Sequence, residues 1–355
     1  MSTFIPCDNP YFNEFVAPLE KRDYEQRNAL HLLGLEITGL CGGSCAYCFS
    51  SFNDFTNQII PKEKALELID EGMELDIRSV ALIGGDALAR PNWYVMVRYA
   101  VDQGLSVGVG TSFLISKKMA TQLTSLNIDF LCSHIDTIDP EAYAQVHTNP
   151  RTLPQKIQWL WNLLEAGFPP ERIVVLITLT KPIIPTIEQT LDWHFDEMGL
   201  RYATILSVKS GGFGADHRSW EPSSSDFRRA HEYRAGKMGH QWLRIGVGGF
   251  GKFLCRTYIQ VHTDGNVSPC NTLRELSVGN VYQESLSHIL GNHRDYLLHH
   301  YEIKGKCGDC ENNDVCLGCR ANAYYYLGDV QASDPKCWLN PEAPEYCYAE
   351  ARTSA

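Results

Sequence analysis

The sequence predicts an α/β fold: a partial (β/α)6 barrel followed by a small, cysteine-rich α+β domain. Three observations predict it. Six apolar runs of strand length recur between about residues 30 and 210, separated by stretches of helical periodicity. After residue 208 Gly and Ser interrupt both periods. Most of the 13 cysteines fall into two patterned groups, one early in the chain and one near its end.

The strands read as 33–40, 79–84, 105–110, 128–135, 172–179 and 202–208. Pro61 opens a helix with Leu66, Ile69 and Met73 on one face, and 91–103 is helical too. This alternation makes a parallel sheet with right-handed crossovers. Six units are too few to close an eight-unit barrel, so the sheet stays open, and chemistry in such folds gathers at the carboxyl ends of the strands. The stretch "KSGGFGADHRSWEPSSSD" (209–226) has neither period and reads as a linker or mobile lid. Residues 258–270 read as a β-hairpin with Asp264-Gly265 as a two-residue turn. The segment 307–319 is too polar to pack a core, so metal must supply its local stability. The expected divisions are an extension (1–32), the barrel (33–208), a bridging region (209–250), the cysteine-rich domain (251–340) and a tail (341–355).

A net charge of −11 argues against nucleic acid and anionic membranes as partners. The N-terminus has no signal-peptide pattern and no apolar run reaches membrane-spanning length, which places the protein in the cytoplasm. In a reducing compartment clustered cysteines bind metal rather than pair. Cys7, Cys132 and Cys347 lie outside the pattern, and Cys132 reads as a buried small apolar side chain.

At 41–48 the chain reads "CGGSCAYC". Three thiolates are one short of a closed tetrahedral site, so either a fourth ligand arrives from elsewhere or one position is left open for chemistry. Structural zinc closes with four ligands, and no fourth Cys or His stands nearby. For Cys307, Cys310, Cys316 and Cys319 a zinc knuckle is the competing reading, weakened by Cys255, Cys270 and Cys337.

A Cys-x3-Cys-x2-Cys loop after the first strand of a partial barrel resembles the radical S-adenosylmethionine (SAM) superfamily. The resemblance implies that Cys41, Cys45 and Cys48 hold a 4Fe–4S cluster whose fourth iron chelates SAM, with Tyr47 at that motif's aromatic position. "GGDALARP" resembles the family's Gly-Gly-Glu-Pro element and implies SAM contacts from Gly84, Gly85 and Asp86. Thr111 and Ser112 stand where many members have Thr-Asn-Gly. Around the fourth strand, His134, Asp136 and His147 align with the family's Ser-x-Asp-Gly and arginine positions, and Ser133 and Arg151 lie close enough to substitute. On the residues alone, His134 and His147 read as packed or hydrogen-bonding histidines rather than catalytic bases.

The C-terminal cysteines resemble the SPASM domain of peptide-maturing relatives. That resemblance implies two auxiliary 4Fe–4S clusters, one on Cys255, Cys270 and Cys319, the other on Cys307, Cys310, Cys316 and Cys337. Two residues rather than three separate Cys316 from Cys319, and no cysteine precedes Cys255 at the usual position. The first auxiliary cluster is therefore expected to have a non-cysteine or exchangeable ligand, Cys347 being a candidate. The function implied is oxidative modification of a peptide or protein side chain by a 5′-deoxyadenosyl radical, using three clusters and SAM. The partners are an external one-electron donor such as flavodoxin or ferredoxin and a separate leader-binding protein, since the residues before the first strand are too few for a winged-helix leader-binding domain. The alternatives are radical SAM chemistry on a small molecule or cofactor precursor, and a non-enzymatic iron–sulfur or zinc protein. No residue stands out as the catalytic acid or base.

Overall fold

In the computed structural model, which describes residues 7–53, 56–112 and 115–340, six parallel strands lie side by side in chain order: β1 (Leu32–Thr38), β2 (Ser79–Gly84), β3 (Ser106–Thr111), β4 (Phe130–His134), β5 (Ile173–Leu179) and β6 (Tyr202–Ser207). Helices α1 (Pro10–Val16) and α2 (Leu19–Gln26) precede them. The crossovers are α3 (Lys62–Glu74), α4 (Trp93–Asp102), α5 (Lys117–Leu126), the pair α6 (Pro140–Val146) and α7 (Thr152–Glu165), and α8 (Ile187–Asp192). After β6 come α9 (Ser224–Met238), α10 (Lys252–Cys255), α11 (Leu286–Leu297) and α12 (Arg320–Leu327).

Alternation along each strand divides the apolar side chains between two cores. Leu33, Leu35, Val80, Leu82, Val107, Val109, Val175 and Ile177 pack with the crossover helices. On the other face Val174 and Tyr202 pack with Phe12 of α1, Trp242 and Ile245, while Cys132, Leu176 and Phe15 border that second core. Cys132 is thus half-buried at the edge of a core rather than fully enclosed. Helix α3 buries Ala65, Leu68, Ile69 and Gly72, leaving the expected Leu66 and Met73 at the margin. Close approach selects this face: a Cβ at Gly72 would stand 2.6 Å from Ile77 Cδ1.

The sheet does not stop at six strands. Strand β7 (Tyr258–Val261) pairs in parallel with β1, from Leu32 opposite Tyr258 to Leu35 opposite Val261, and β8 (Val267–Ser268) pairs antiparallel with β7. The cysteine-rich region therefore extends the barrel sheet in the order β6-β5-β4-β3-β2-β1-β7-β8. The hairpin loop has three residues, not two. The Gly265 N–H donates to His262 C=O, the His262 N–H donates to Asn266 C=O, both at 2.9 Å, and Gly265 takes φ +84°. A type I turn ending in a left-handed glycine matches the strand twist that a two-residue Asp-Gly loop would meet with another turn type. At the opposite edge, the Arg234 guanidinium of α9 covers the free Ala203 carbonyl of β6 at 3.4 Å.

The 209–226 stretch carries regular structure although its sequence shows neither period. Residues Gly212–Trp220 form a 3-10 turn, and α9 begins at Ser224 behind a Ser223–Asp226 capping box. Its glycines serve close approach: a Cβ at Gly212, where φ is +52°, would stand 2.4 Å from Phe49 O and 2.7 Å from Cys48 O. The Phe213 N–H donates to Cys48 C=O at 2.9 Å.

Candidate active site and cluster-binding cysteines

Strand β1 delivers the chain into the loop of Cys41, Cys45 and Cys48, at the carboxyl end of the sheet. The loop is strapped to the α6–α7 connection by Ala46 N–H to Val146 C=O at 3.0 Å and Thr148 N–H to Ser44 C=O at 2.9 Å. The thiols lie within electrostatic range of one another: burial first, then the charges of Cys45 and Asp86, push Cys41 up, and burial followed by Cys45 pushes up Cys48. Against burial, which alone would raise it, His147 together with Lys156 holds Cys45 below the usual thiol range.

The expected SAM-contacting residues converge on this loop in two sets. In the first, the Gly85 N–H donates to Thr38 C=O at 2.7 Å and the Asp86 N–H to Leu40 C=O at 2.8 Å. Neither glycine tolerates a side chain, since a Cβ would stand 2.1 Å from Thr38 O at Gly84 and 2.5 Å from Leu40 O at Gly85. The fully buried Asp86 carboxylate accepts from the Thr111 hydroxyl (2.9 Å), the Ser112 N–H (2.8 Å) and the Leu88 N–H (2.9 Å), tying the loop after β2 to the end of β3. Burial lifts its pKa to about 6 against the pull of those donors.

In the second set Asp136, also fully buried, accepts from the Tyr47 hydroxyl and, through its other oxygen, from the Thr178 N–H at 2.7 Å. His147 stacks on Tyr143, donates Nδ1–H to Gly43 C=O at 3.0 Å and turns Nε2 to Asp136 at 3.4 Å. With Nδ1 protonated, an Nε2 facing a carboxylate suits an imidazolium. His147 is accordingly raised: the Cys45 thiolate and Asp136 outweigh burial, which alone would lower it. Against burial, which alone would raise it, His147 together with His134 and Lys156 brings Asp136 down to about 2. Ser133 is fully buried with no hydrogen-bond partner for Oγ among the described residues, and His134 is half-buried beside it at the end of β4. Arg151 lies exposed at the start of α7.

Lys156 belongs to the same site and escaped the sequence reading. It is 1% exposed, with Nζ 3.2 Å from the His134 carbonyl and 5.6 Å from the Tyr143 ring centre. The available signal was its position in the apolar stripe Leu153, Lys156, Leu160, Leu163 of α7.

The C-terminal cysteines form two more groups. Cys307, Cys310, Cys316 and Cys337 line one cavity with Gly318 and Asp334. Cys255 lies within electrostatic range of Cys270 and Cys319, and burial first, then these two neighbours, push it up to about 12. Lys209, at the end of β6, is within electrostatic range of Cys270 and donates to Ser207 Oγ and, at 2.6 Å, to Asn322 Oδ1. Cys347 lies outside the described residues.

The donor sets suit iron–sulfur clusters. Buried thiols that raise one another's pKa need a compensating cation to become thiolates. Among the described residues no three His, Cys, Asp or Glu side chains are arranged to hold a single metal ion; Cys307, Cys310, Cys316 and Cys337 instead surround a cavity. The buried, unpartnered Ser133 hydroxyl suits a polar ligand at the end of β4.

Residues 35–193 match the radical SAM superfamily, and residues 253–320 match the SPASM iron–sulfur cluster-binding domain. The chain is a radical SAM enzyme with a SPASM domain, and these domains bind iron–sulfur clusters and SAM. Among its relatives, the AdoMet-dependent heme synthase of Methanosarcina barkeri is 25% identical over 88% of this chain and 98% of its own. The PqqA peptide cyclase of Granulibacter bethesdensis is 22% identical over 86% of each chain. In fold it is similar to Streptococcus suis SuiB bound to the precursor peptide SuiA, with a TM-score of 0.64 at 13% identity over 91% of this chain and 79% of that one. Among the described residues no helix is long and apolar enough to cross a membrane.

Proposed function

We propose that the enzyme carries out a net oxidation at an unactivated substrate carbon, with three 4Fe–4S clusters: one on Cys41, Cys45 and Cys48, one on Cys255, Cys270 and Cys319, and one on Cys307, Cys310, Cys316 and Cys337. The gathering of these ten cysteines into three separate groups carries the reading. When bound, the first cluster and SAM supply a 5′-deoxyadenosyl radical that abstracts a substrate hydrogen. The protein's own part is positional. Tyr47, Asp136 and His147 hold the cysteine loop through Gly43, and Asp86 with Thr111 and Ser112 holds the Gly84-Gly85 cradle. Ser133 and His134 at the end of β4, with Lys156 on the His134 carbonyl, are the polar groups proposed to meet SAM.

The proposed substrate is a peptide or protein side chain, supported by the likeness to the PqqA peptide cyclase. An external one-electron donor such as flavodoxin or ferredoxin would reduce the first cluster, and a separate protein would present the peptide's leader. The likeness to the AdoMet-dependent heme synthase, which extends over 98% of that relative, favours a second reading: oxidation of a porphyrin precursor of heme. Anaerobic incubation with SAM, a reductant and either peptides encoded beside the gene or porphyrin precursors, read by mass spectrometry, separates the two. Mass loss on a peptide alone supports the first reading, and on a porphyrin alone the second. Failure to form 5′-deoxyadenosine with any of them overturns both.

A further inference from the structure

Asp334 stands between the two C-terminal cysteine groups and is fully buried. Its Oδ2 accepts from the Cys319 N–H at 2.7 Å, and its own N–H donates to Cys307 Sγ at 3.3 Å. Its Oδ1 accepts from the Lys336 N–H at 2.9 Å and from Asn322 Nδ2 at 3.1 Å. The Asn322 amide is oriented unambiguously, because its Oδ1 accepts from Lys209 Nζ and from Ser207 Oγ, so Nδ2 must donate to Asp334. Both Asp334 oxygens thus face N–H donors, the surroundings of a carboxylate. That charge acts on the thiols of Cys307, Cys316 and Cys337, but Cys255 and Cys270 show no comparable influence from it.

We propose that Asp334 is a positioning residue shared by the two auxiliary sites: it holds the Cys319 and Cys307 loops together and keeps the potential of the Cys307/Cys310/Cys316/Cys337 cluster low. The proposal rests on the reading of these cysteines as cluster ligands. The reason is electrostatic. A buried negative charge beside a cluster opposes the arrival of an electron; the buried Arg320 acts on Cys307 and on Cys255 alike and so does not distinguish the two sites, whereas Asp334 meets the Cys255/Cys270/Cys319 site only through the Cys319 amide.

The test is an EPR-monitored redox titration of the anaerobically purified, reconstituted full chain, alongside iron and sulfide analysis. In Asp334→Asn, which keeps the side-chain volume and the backbone N–H to Cys307, iron content is retained and one auxiliary signal moves to a more positive midpoint. The SAM-cluster signal stays in place. Retained iron with an unmoved auxiliary midpoint overturns the proposal. Should Asp334→Asn lose a cluster, Asn322→Leu decides, since it strips a donor from the carboxylate while leaving the Asp334 contacts to Cys319 and Cys307 in place; because it also frees Lys209 near Cys270, the midpoint read is that of the Cys307 group. The substitution should shift the same midpoint to more negative values, and an unchanged midpoint would again overturn the proposal. Wild-type protein holding iron for the SAM cluster alone would instead refute the ligand reading, a failure distinguishable by iron content from an unmoved midpoint.

Discussion

Glu221 and Lys336 form an ion pair whose side chains are 0% and 4% exposed, joining the segment that leans on the Cys48 loop to the residue before Cys337. Lys336 also lies 4.2 Å from the Tyr326 ring centre. Removing one partner of such a pair leaves a buried charge uncompensated, which costs about 3–5 kcal/mol. Glu221→Ala should therefore lower stability by that order in chemical denaturation and open residues 209–220 to limited proteolysis. The double variant Glu221→Leu/Lys336→Met should recover most of the loss; equal instability of the two would show that packing, not charge, governs this site.

Replacing Cys41, Cys45 and Cys48 together with alanine should remove one cluster's worth of iron and abolish 5′-deoxyadenosine formation while the remaining iron stays bound. Neither of the two C-terminal cysteine groups draws a thiol from that loop. Loss of all iron would show that the groups assemble only as a unit.

Gly84→Ala should cost on the order of 1–3 kcal/mol from backbone strain alone, because Gly84 holds φ +149° and a Cβ there would meet the Thr38 carbonyl at 2.1 Å. The displaced carbonyl leads directly into the cysteine loop, so SAM cleavage should fall further than stability does. A variant with wild-type 5′-deoxyadenosine output would contradict the close packing described.

Burial lifts Asp86 from 3.8 to about 6. The folded chain holds this proton more tightly than the unfolded chain, so the group's contribution is full below about pH 3.8 and is lost as pH rises through 6. A shift of that size corresponds to ~3 kcal/mol. Metal-free wild type should lose stability relative to Asp86→Asn between pH 4 and 7, measured by denaturant unfolding at each pH. Parallel profiles would place the carboxylate in a wetter setting.

The barrel was legible because its strands are short apolar runs bounded by turn residues, and the cysteine groups because thiol spacing is itself chemistry. Other features leave no such mark. Lys156 occupies an apolar stripe, where a single lysine reads as the rim of a helix face. Asp334 sits in a loop with no period, and its importance comes from two cysteines 15 and 27 positions away. Gly212 and Gly214 look like linker residues because close approach to Cys48 and Tyr47 is a property of the folded chain. The pairing of β1 with β7 joins strands more than 200 positions apart, and no local spacing encodes such a register.

That pairing bears on how such proteins can be recombined. A chimaera that grafts another relative's cysteine-rich domain onto this barrel must match the ladder from Leu32–Tyr258 to Leu35–Val261, whatever the length of the join. A slip by a single residue would turn the strand's side chains to the opposite face and carry Cys255 and Cys270 along by roughly 3.3 Å, further than a metal–sulfur bond can stretch.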